Sequence, residues 1–208
     1  MSYYRRNLPH WQPSGGEYFI TFMLNNSLPA HVIRQIKENR KLLRQDPDLE
    51  GSQLRKKIMR RIFKKYEHHL ENEHYGNHWL KQSKIARMVG EAIAYRDKSK
   101  YDLYAYCIMS NHVHMVFRLL KNGSEDEYPV TKILQSLKRF TAGKGNELLD
   151  RSGQFWHHES YDRVIRDQDE LESTIKYVLN NPVKAGLVDE WQDWLYSYCK
   201  PVFKRDLM

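Results

Sequence analysis

Two histidines separated by one residue, His112 and His114, are the side chains whose type and spacing are best suited to chemistry. They lie in the run Asn111-His112-Val113-His114-Met115, whose apolar flanks predict a central strand. Residues two apart on a strand point to the same face, so the imidazoles should lie side by side with Val113 directed at the core. Two neutral imidazoles on one face form half of a divalent-metal site. The same spacing also fits two solvated histidines on an edge strand.

A second pair of candidate residues, Tyr177 and Asn181, lies near the carboxyl end of the chain. A spacing of four places both on one face of a predicted helix. The amide oxygen of Asn181 could ligate a hard cation. The phenol of Tyr177 could attack a metal-polarised phosphate and form a covalent phosphodiester. The plainer alternatives are a core aromatic for Tyr177 and a helix C-cap before Pro182 for Asn181.

Other tyrosines and histidines compete for these roles. Tyr161 is the strongest rival nucleophile, because it lies on a predicted strand that could border the site. Adjacent residues on a strand face opposite ways, so His157 and His158 cannot readily share one metal. The remaining cluster fits no zinc motif and is predicted to be at the surface: His68, His69, His74 and His78.

The charge balance favours a polyanionic partner, with nucleic acid first. Lysine and arginine number 34 against 26 acidic residues, a formal net charge of +8. A solubilising surface is the alternative. Arginine and aromatic side chains suit phosphate contact and stacking on unpaired bases, and the basic helix 55–65 could grip phosphates. The predicted DNA contacts are Tyr3, Tyr4, Arg5, Arg6, Lys138, Arg139, Lys144, Tyr161, Arg163 and Arg166; residues 3–6 could equally form a disordered tail.

Several classes of protein are disfavoured by what the chain contains. No apolar run is long enough to span a bilayer, and the amino-terminal residues lack the core of a signal peptide, so a cytoplasmic protein without a membrane partner is expected. Cys107 and Cys199 form no metal-binding spacing, which argues against a zinc ribbon or a disulfide framework. Cys107 lies in an apolar run and is predicted to be a small buried side chain.

The elements that must position these residues follow from hydrophobic periodicity and turn signals. Without residues 46–82 their order is βαββαβ plus a final helix, which predicts an α+β, ferredoxin-like split βαβ fold with an antiparallel sheet. One domain, 1–208, is expected, with a basic and aromatic arm at 1–16 and a helical insertion at 46–82. The predicted strands are 17–25, 101–109, 112–120 and one within 155–165; the predicted helices are 27–45, 52–72, 83–97, 130–149 and 167–179.

The helix at 130–149 has its own predicted orientation. Its apolar face should include Phe140, together with Ile133, Leu134 and Leu137. Lys138 and Arg139 should face outward.

Four segments, taken in order, resemble one family. They are YCIMSNHVHMVF, SLKRFTAGKGN, GQFWHHESYDRVIRD and YVLNNPVKAGL. This ordered set resembles the REP-associated tyrosine transposases, which belong with the single-tyrosine HUH transposases of small insertion sequences. The resemblance runs from about Tyr3 to Tyr198 and covers nearly all of the chain.

The resemblance implies a ferredoxin-like fold and a Mg²⁺- or Mn²⁺-dependent nickase and strand transferase acting on single-stranded DNA beside a hairpin. It places the metal ligands at His112 and His114, and the nucleophile, which forms a 5′-phosphotyrosine, at Tyr177. Related insertion-sequence enzymes carry a glutamine at the position of Asn181, so this shorter side chain could act directly or through water. The arm at Tyr3–Arg6 would help to read a guide sequence. Enzymes of this class act as monomers or homodimers.

Two other classes of function stay open. One is a domesticated or catalytically silent DNA hairpin-binding protein. The other is an RNA-binding ferredoxin-like domain, but the glycine and aromatic pattern of its RNA-binding strands is absent from 112–120.

Overall fold

A five-stranded antiparallel sheet forms the centre of the protein. The computed structural model describes residues 5–6, 8–9, 15–45, 53–71, 75–121 and 129–204. In the arm, Arg5–Arg6 pairs with Leu8–Pro9 in a short antiparallel ladder; Tyr3 and Tyr4 lie outside the described residues. The sheet strands are β1 (Glu17–Leu24), β2 (Tyr101–Ile108), β3 (His112–Leu119), β4 (Trp156–Ile165) and β5 (Ser197–Cys199).

The strand order is β4-β1-β3-β2-β5, and each neighbouring pair is antiparallel. Strands β1 and β2 are therefore parallel to each other, with β3 between them, which is the split βαβ arrangement. This confirms the predicted ferredoxin-like fold. The fifth strand was not predicted; it comes from the tail, where the indole of Trp194 also donates to the Ile108 carbonyl at 3.0 Å.

Seven α-helices occur in the described ranges. They are α1 (Ala30–Gln45), α2 (Gln53–Leu70), α3 (Ser83–Ala94), α4 (Val130–Leu148), α5 (Gln168–Leu179) and the short α6 (Asn181–Lys184) and α7 (Pro201–Lys204). Helix α3 ends three residues before the prediction, because the chain turns back through Lys98, which has a positive φ of 61°. In the same ranges, none of the helices is long and apolar enough to cross a membrane.

Helices cover both faces of the sheet. The first face packs against α3 and α4, and its core includes Val113, Met115 and Phe117 from β3. The second face packs against α5, and its core includes Phe19 and Val116. Helix α2, from the segment predicted as an insertion, lies beside this second face. We call these the structural face and the site face.

Helix α4 departs from the predicted orientation at two residues. Phe140 is 50% exposed, whereas Ile133, Leu134 and Leu137 are buried. Lys138 turns inward, and its ammonium donates to the His157 carbonyl at 2.9 Å and to Ser160 Oγ at 2.7 Å. Burial lowers the pKa of Lys138 to about 8. Lys138 turns inward because β4 lies close enough to α4 to offer hydrogen-bond acceptors to its long side chain. Helical periodicity alone does not reveal that β4 is there.

Candidate active site

The histidine pair occupies the centre of the sheet rather than an edge. His112 is 2% exposed and His114 is fully buried, and both project from β3 onto the site face. Val113 lies between them in the core of the structural face, as the period of a strand requires. The Nε2 atoms of the two rings are 3.0 Å apart.

Hydrogen bonds from two neighbouring side chains set the ring orientations. His112 Nδ1 donates to Asn111 Oδ1 at 2.6 Å, which leaves the lone pair of His112 on Nε2. His114 Nδ1 is hydrogen-bonded to Thr21 Oγ1 at 2.7 Å, across the β1–β3 pairing. Partners of this kind hold ligating imidazoles in position in metal sites. Both Nδ1 atoms are occupied, so the Nε2 atoms are the ones directed at a common point.

Both imidazoles are held in the neutral form that ligates metals. Burial lowers the pKa of His112 to about 3, and the nearby His78 adds to this effect. Burial, and then the charge of His112, lower the pKa of His114 well below its ordinary value. Because burial disfavours the imidazolium, both rings keep their lone pairs at neutral pH.

Asn181 completes a set of three donors. Its side chain is hydrogen-bonded to His114, and its Nδ2 donates to the Tyr177 carbonyl at 2.9 Å. That second bond leaves Oδ1 directed at the histidines. Asn181 is 3% exposed, so the amide is a fixed part of the site.

The donor set fits a divalent cation. Two ligands at right angles on one ion, each bonded at about 2.1 Å, are about 3.0 Å apart. The two Nε2 atoms have this separation, at which they are hydrogen-bonded to each other. Among the described residues, no group of three His, Cys, Asp or Glu side chains could hold a metal. The third protein ligand available is therefore the amide oxygen of Asn181.

Tyr177 lies next to the histidine pair. Its ring centroid is 5.6 Å from that of His114, and it is also in edge contact with Phe19 and Phe63. The hydroxyl is buried and has no hydrogen-bond partner in the described part of the chain. An unpaired buried hydroxyl costs free energy, so a ligand that approaches the histidines would gain by pairing with it.

Tyr161 belongs to the same aromatic cluster as Tyr177 but is buried within it. It is 3% exposed, and its ring packs 4.4 Å from that of Phe63. It also contacts Phe19. Its burial means that it offers no stacking surface to a base in this conformation.

A cleft of about 1150 Å³ opens beside Tyr177, between α2, β4 and α5. Arg163 lies in its wall, where it is paired with Glu170 and donates to Thr174 Oγ1 at 3.0 Å. Arg166 is exposed and also lines the cleft. Three of the predicted DNA contacts, Tyr161, Arg163 and Arg166, thus line the cleft beside Tyr177, although Arg163 is already bound within the protein.

The other predicted DNA contacts lie elsewhere. Arg139 and Lys144 line a groove on the outer side of α4, beyond the structural face. Lys138 is half-buried, and its ammonium donates to the His157 carbonyl and to Ser160 Oγ of β4. The side chains of Arg5 and Arg6 are outside the described ones. The structure therefore brings together Tyr177, His112, His114 and Asn181, with Arg163 and Arg166 nearby.

Three residues of the site were not predicted from the sequence: Thr21, Asn111 and Glu67. Asn111 directly precedes the histidine pair, and this adjacency in the sequence could have indicated its place in the site. Nothing in the sequence indicated Thr21 or Glu67, because their contacts join segments that are distant in the chain. His78 was wrongly predicted to be a surface residue: it is half-buried and bonded to Ser110 Oγ at 3.1 Å, beside His112.

Glu67 is an unusual carboxyl for an inserted helix. It is 8% exposed, and its Oε1 has no hydrogen-bond partner among the described residues. Burial raises the pKa of Glu67 to about 8, against the opposing charge of Lys184. The carboxyl lines the same cleft as Tyr177.

The class of this protein follows from comparison with known families. The model of the family "Transposase IS200 like" matches residues 73–181, which is more than half of the chain. The chain belongs to this family.

Two individual proteins sharpen the assignment. A protein of Haemophilus influenzae named as a REP-associated tyrosine transposase is 29% identical over 106 residues, which cover 47% of this chain and 58% of that protein. The chain therefore matches somewhat more than half the length of this relative. A solved REP-associated tyrosine transposase, described as bound to a REP hairpin, has a TM-score of 0.53 at 18% identity, over the whole of this chain and 86% of the other. The fold is the same, and the resemblance inferred from the four segments is confirmed.

Proposed function

We propose that this protein is a metal-dependent single-stranded DNA nickase and strand transferase that acts beside a DNA hairpin through a 5′-phosphotyrosine. The observation that carries the proposal is the unpaired hydroxyl of Tyr177 beside two neutral, converging imidazoles. Family membership supports a transposase. The hairpin partner is supported by the solved relative of the same fold, which is described as bound to one.

Each residue has a defined role in this proposal. His112, His114 and Asn181 would hold Mg²⁺ or Mn²⁺, which as a Lewis acid polarises a phosphate oxygen when bound. Asn111 and Thr21 keep both Nε2 atoms directed at the site. Phe19 and Phe63 hold the ring of Tyr177 against His114.

The chemical step is a transesterification. The hydroxyl of Tyr177 gives up its proton and its oxygen bonds to the phosphorus, while the bond from phosphorus to the 3′-oxygen breaks and that oxygen takes up a proton. One phosphodiester replaces another, so no ATP and no hydrolytic water are consumed. A second 3′-hydroxyl can reverse the step and join the strand to a new partner.

One chain supplies all of these groups. Tyr177 on α5 reaches the histidines of its own β3. A monomer is therefore sufficient for cleavage in this proposal, and a homodimer is not required to complete the site.

The test is a covalent-adduct assay with hairpin-flanked single-stranded DNA and Mn²⁺. Wild-type protein should yield an adduct that survives denaturant, and Tyr177→Phe should reduce its formation at least about a thousandfold, a loss of about 4 kcal/mol in transition-state stabilisation. Tyr161→Phe is the matched control, because it removes a hydroxyl from the same cluster and should retain the adduct. An adduct that persists in Tyr177→Phe but disappears in Tyr161→Phe would overturn the assignment of the nucleophile.

The same assay separates the alternative function. Wild-type protein that binds the hairpin but forms no adduct with either metal would be a silent hairpin-binding protein. EDTA should abolish the adduct without abolishing hairpin binding. If EDTA has no effect on adduct formation, the reaction does not need the metal that we propose.

A further inference from the structure

Two carboxyls four residues apart, one on α2 and one just beyond its end, have different environments. The side chain of Glu71, the residue after the helix, is 26% exposed and pairs with Lys184 at 2.6 Å. Glu67 is buried, and its Oε1 has no hydrogen-bond partner among the described residues. A carboxyl in such a place costs free energy unless something compensates it. A ligand that is not part of the protein could provide that compensation.

Contacts on either side of Glu67 give its position. Phe63, one turn earlier, is in edge contact with Tyr177. Glu71, one turn later, pairs with Lys184. Residues spaced by four share one helical face, so Glu67 lies between these two contacts and faces the segment that contains Asn181. Helix α2 thus places a carboxyl in the wall of the cleft beside Tyr177, facing the segment that begins with Asn181.

A salt bridge supports the same placement. Lys184 pairs with Glu71 at 2.6 Å and lies three residues after Asn181. Lys184 and Tyr177 line one cleft. Glu67 also lines the cleft that contains Tyr177.

The set of two imidazoles and one amide is neutral. Mg²⁺ and Mn²⁺ prefer oxygen ligands, and carboxylates are the protein groups that most often hold them. Neutral donors alone bind such cations weakly, and the short side chain of Asn181 adds to this deficit. A nearby anionic oxygen would correct it.

We propose that Glu67 of helix α2 releases its proton to solvent when a divalent cation enters this site, and then binds the cation through a water and supplies a negative charge to it. The water is included because Glu67 does not form a close three-residue group with the two histidines. This inference rests on the proposed function, since it requires a metal at His112 and His114. It also gives the inserted helix a function, because α2 then completes the metal site as well as covering the nucleophile.

The test measures Mn²⁺ binding to the full chain without DNA. Binding is monitored through the electron paramagnetic resonance signal of free Mn²⁺. Glu67→Gln keeps the size of the side chain and removes its charge, so it should weaken Mn²⁺ affinity about 10- to 100-fold, the usual cost of losing such a partner. Glu71→Gln is the matched control, because it removes the charge of a more exposed carboxyl four residues later, and it should bind within about twofold of wild type. Equal affinities of Glu67→Gln and wild type would overturn the proposal.

Further variants separate this proposal from the one on which it rests. His114→Ala should lose Mn²⁺ binding whatever Glu67 does. Binding that depends on His114 but not on Glu67 overturns only the role of Glu67, whereas wild-type protein that binds no Mn²⁺ overturns both proposals. Should Glu67→Gln fail to fold, Glu67→Asp and Glu67→Asn form a second pair that differs only in charge, and the aspartate should bind Mn²⁺ more tightly. Equal binding by that pair would also overturn it.

Discussion

Two buried polar groups on the structural face are hydrogen-bonded within the protein, whereas two on the site face are not. On the structural face, the indole of Trp156 donates to Thr141 Oγ1 at 2.8 Å and the hydroxyl of Tyr101 donates to the Ile93 carbonyl at 2.7 Å. On the site face, Tyr177 Oη and Glu67 Oε1 are buried without hydrogen-bond partners among the described residues. The same strand, β3, supplies both faces through alternate residues.

This difference indicates where the protein binds a ligand. Buried polar groups in native structures are nearly always paired, and those that are not need an explanation. The site face combines unpaired groups with two neutral histidines, and a cation with a phosphate would pair with all of them. The structural face needs no ligand for the two groups named above, because their hydrogen bonds are complete within the protein. Its role is to hold β3 in a central position.

The largest effect on stability should come from the structural face. Phe117 is fully buried and stacks against Tyr18 and Tyr101. Phe117→Ala should lower the free energy of unfolding by about 3–5 kcal/mol, measured by urea denaturation. Tyr177→Phe, on the other face, should leave the free energy of unfolding unchanged or raised, because it removes an unpaired hydroxyl. Comparable losses in the two variants would contradict the division between the faces.

The pH dependence of stability should reveal Glu67. Its pKa is about 8 in the folded protein against 4.5 for the free side chain, so the folded state holds the extra proton between these values. The protonated carboxyl therefore contributes its full stabilisation below about pH 4.5, and this stabilisation is lost as the pH rises through about 8. The free energy of unfolding should fall by at most a few kcal/mol.

Denaturation in EDTA at pH 5, 7 and 9 would measure this effect. Wild-type protein should lose more stability over this range than Glu67→Gln, which has no such proton to release. Lys184 and Glu71 are the charged groups nearest to Glu67, and Glu71→Gln should keep most of the wild-type slope. Identical slopes for wild type and Glu67→Gln would show that Glu67 ionises freely in the folded state.

Two fully buried threonines provide a matched pair for the comparison. Thr141→Val leaves the indole of Trp156 unpaired and should cost about 1–3 kcal/mol of unfolding free energy. Thr21→Val removes the partner of His114 and should weaken Mn²⁺ affinity about 10- to 100-fold. Thermal melts and metal titrations should be run on both variants, so that each variant serves as the control for the other. A Thr21→Val protein with wild-type metal affinity would show that His114 needs no orienting partner.

The smallest effect concerns the outer surface beyond the structural face, where Arg139 and Lys144 line a groove. If these side chains contact phosphates, Arg139→Gln should reduce by about one unit the slope of log affinity against log salt for hairpin DNA. Arg166→Gln, at the cleft of the site face, is the variant to compare. A reduced slope in Arg166→Gln alone would confine DNA contact to the site face.

Much of the fold followed from local patterns. The strands at β1, β2 and β3 and the helices at α4 and α5 were predicted to within a few residues, since alternation and helical periodicity are short-range signals. Strand β5 and the inward turn of Lys138 were not predicted. Both depend on which distant segment lies alongside, and a single sequence does not encode that in its periodicity.

The sequence by itself determined which residues of each element share a face. His112 and His114 lie together because side chains on a strand repeat every two residues. Tyr177 and Asn181 are four residues apart, and although α5 ends at Leu179 and Asn181 begins α6, the Asn181 amide still donates to the Tyr177 carbonyl. Only the tertiary structure decided that α5 covers the same face of the sheet as the histidines, that Thr21 of a neighbouring strand bonds to His114, and that α2 carries Glu67 to the site. The reason is physical: these contacts join residues tens of positions apart, and they arise from burial of apolar surface across the whole sheet rather than from any local preference.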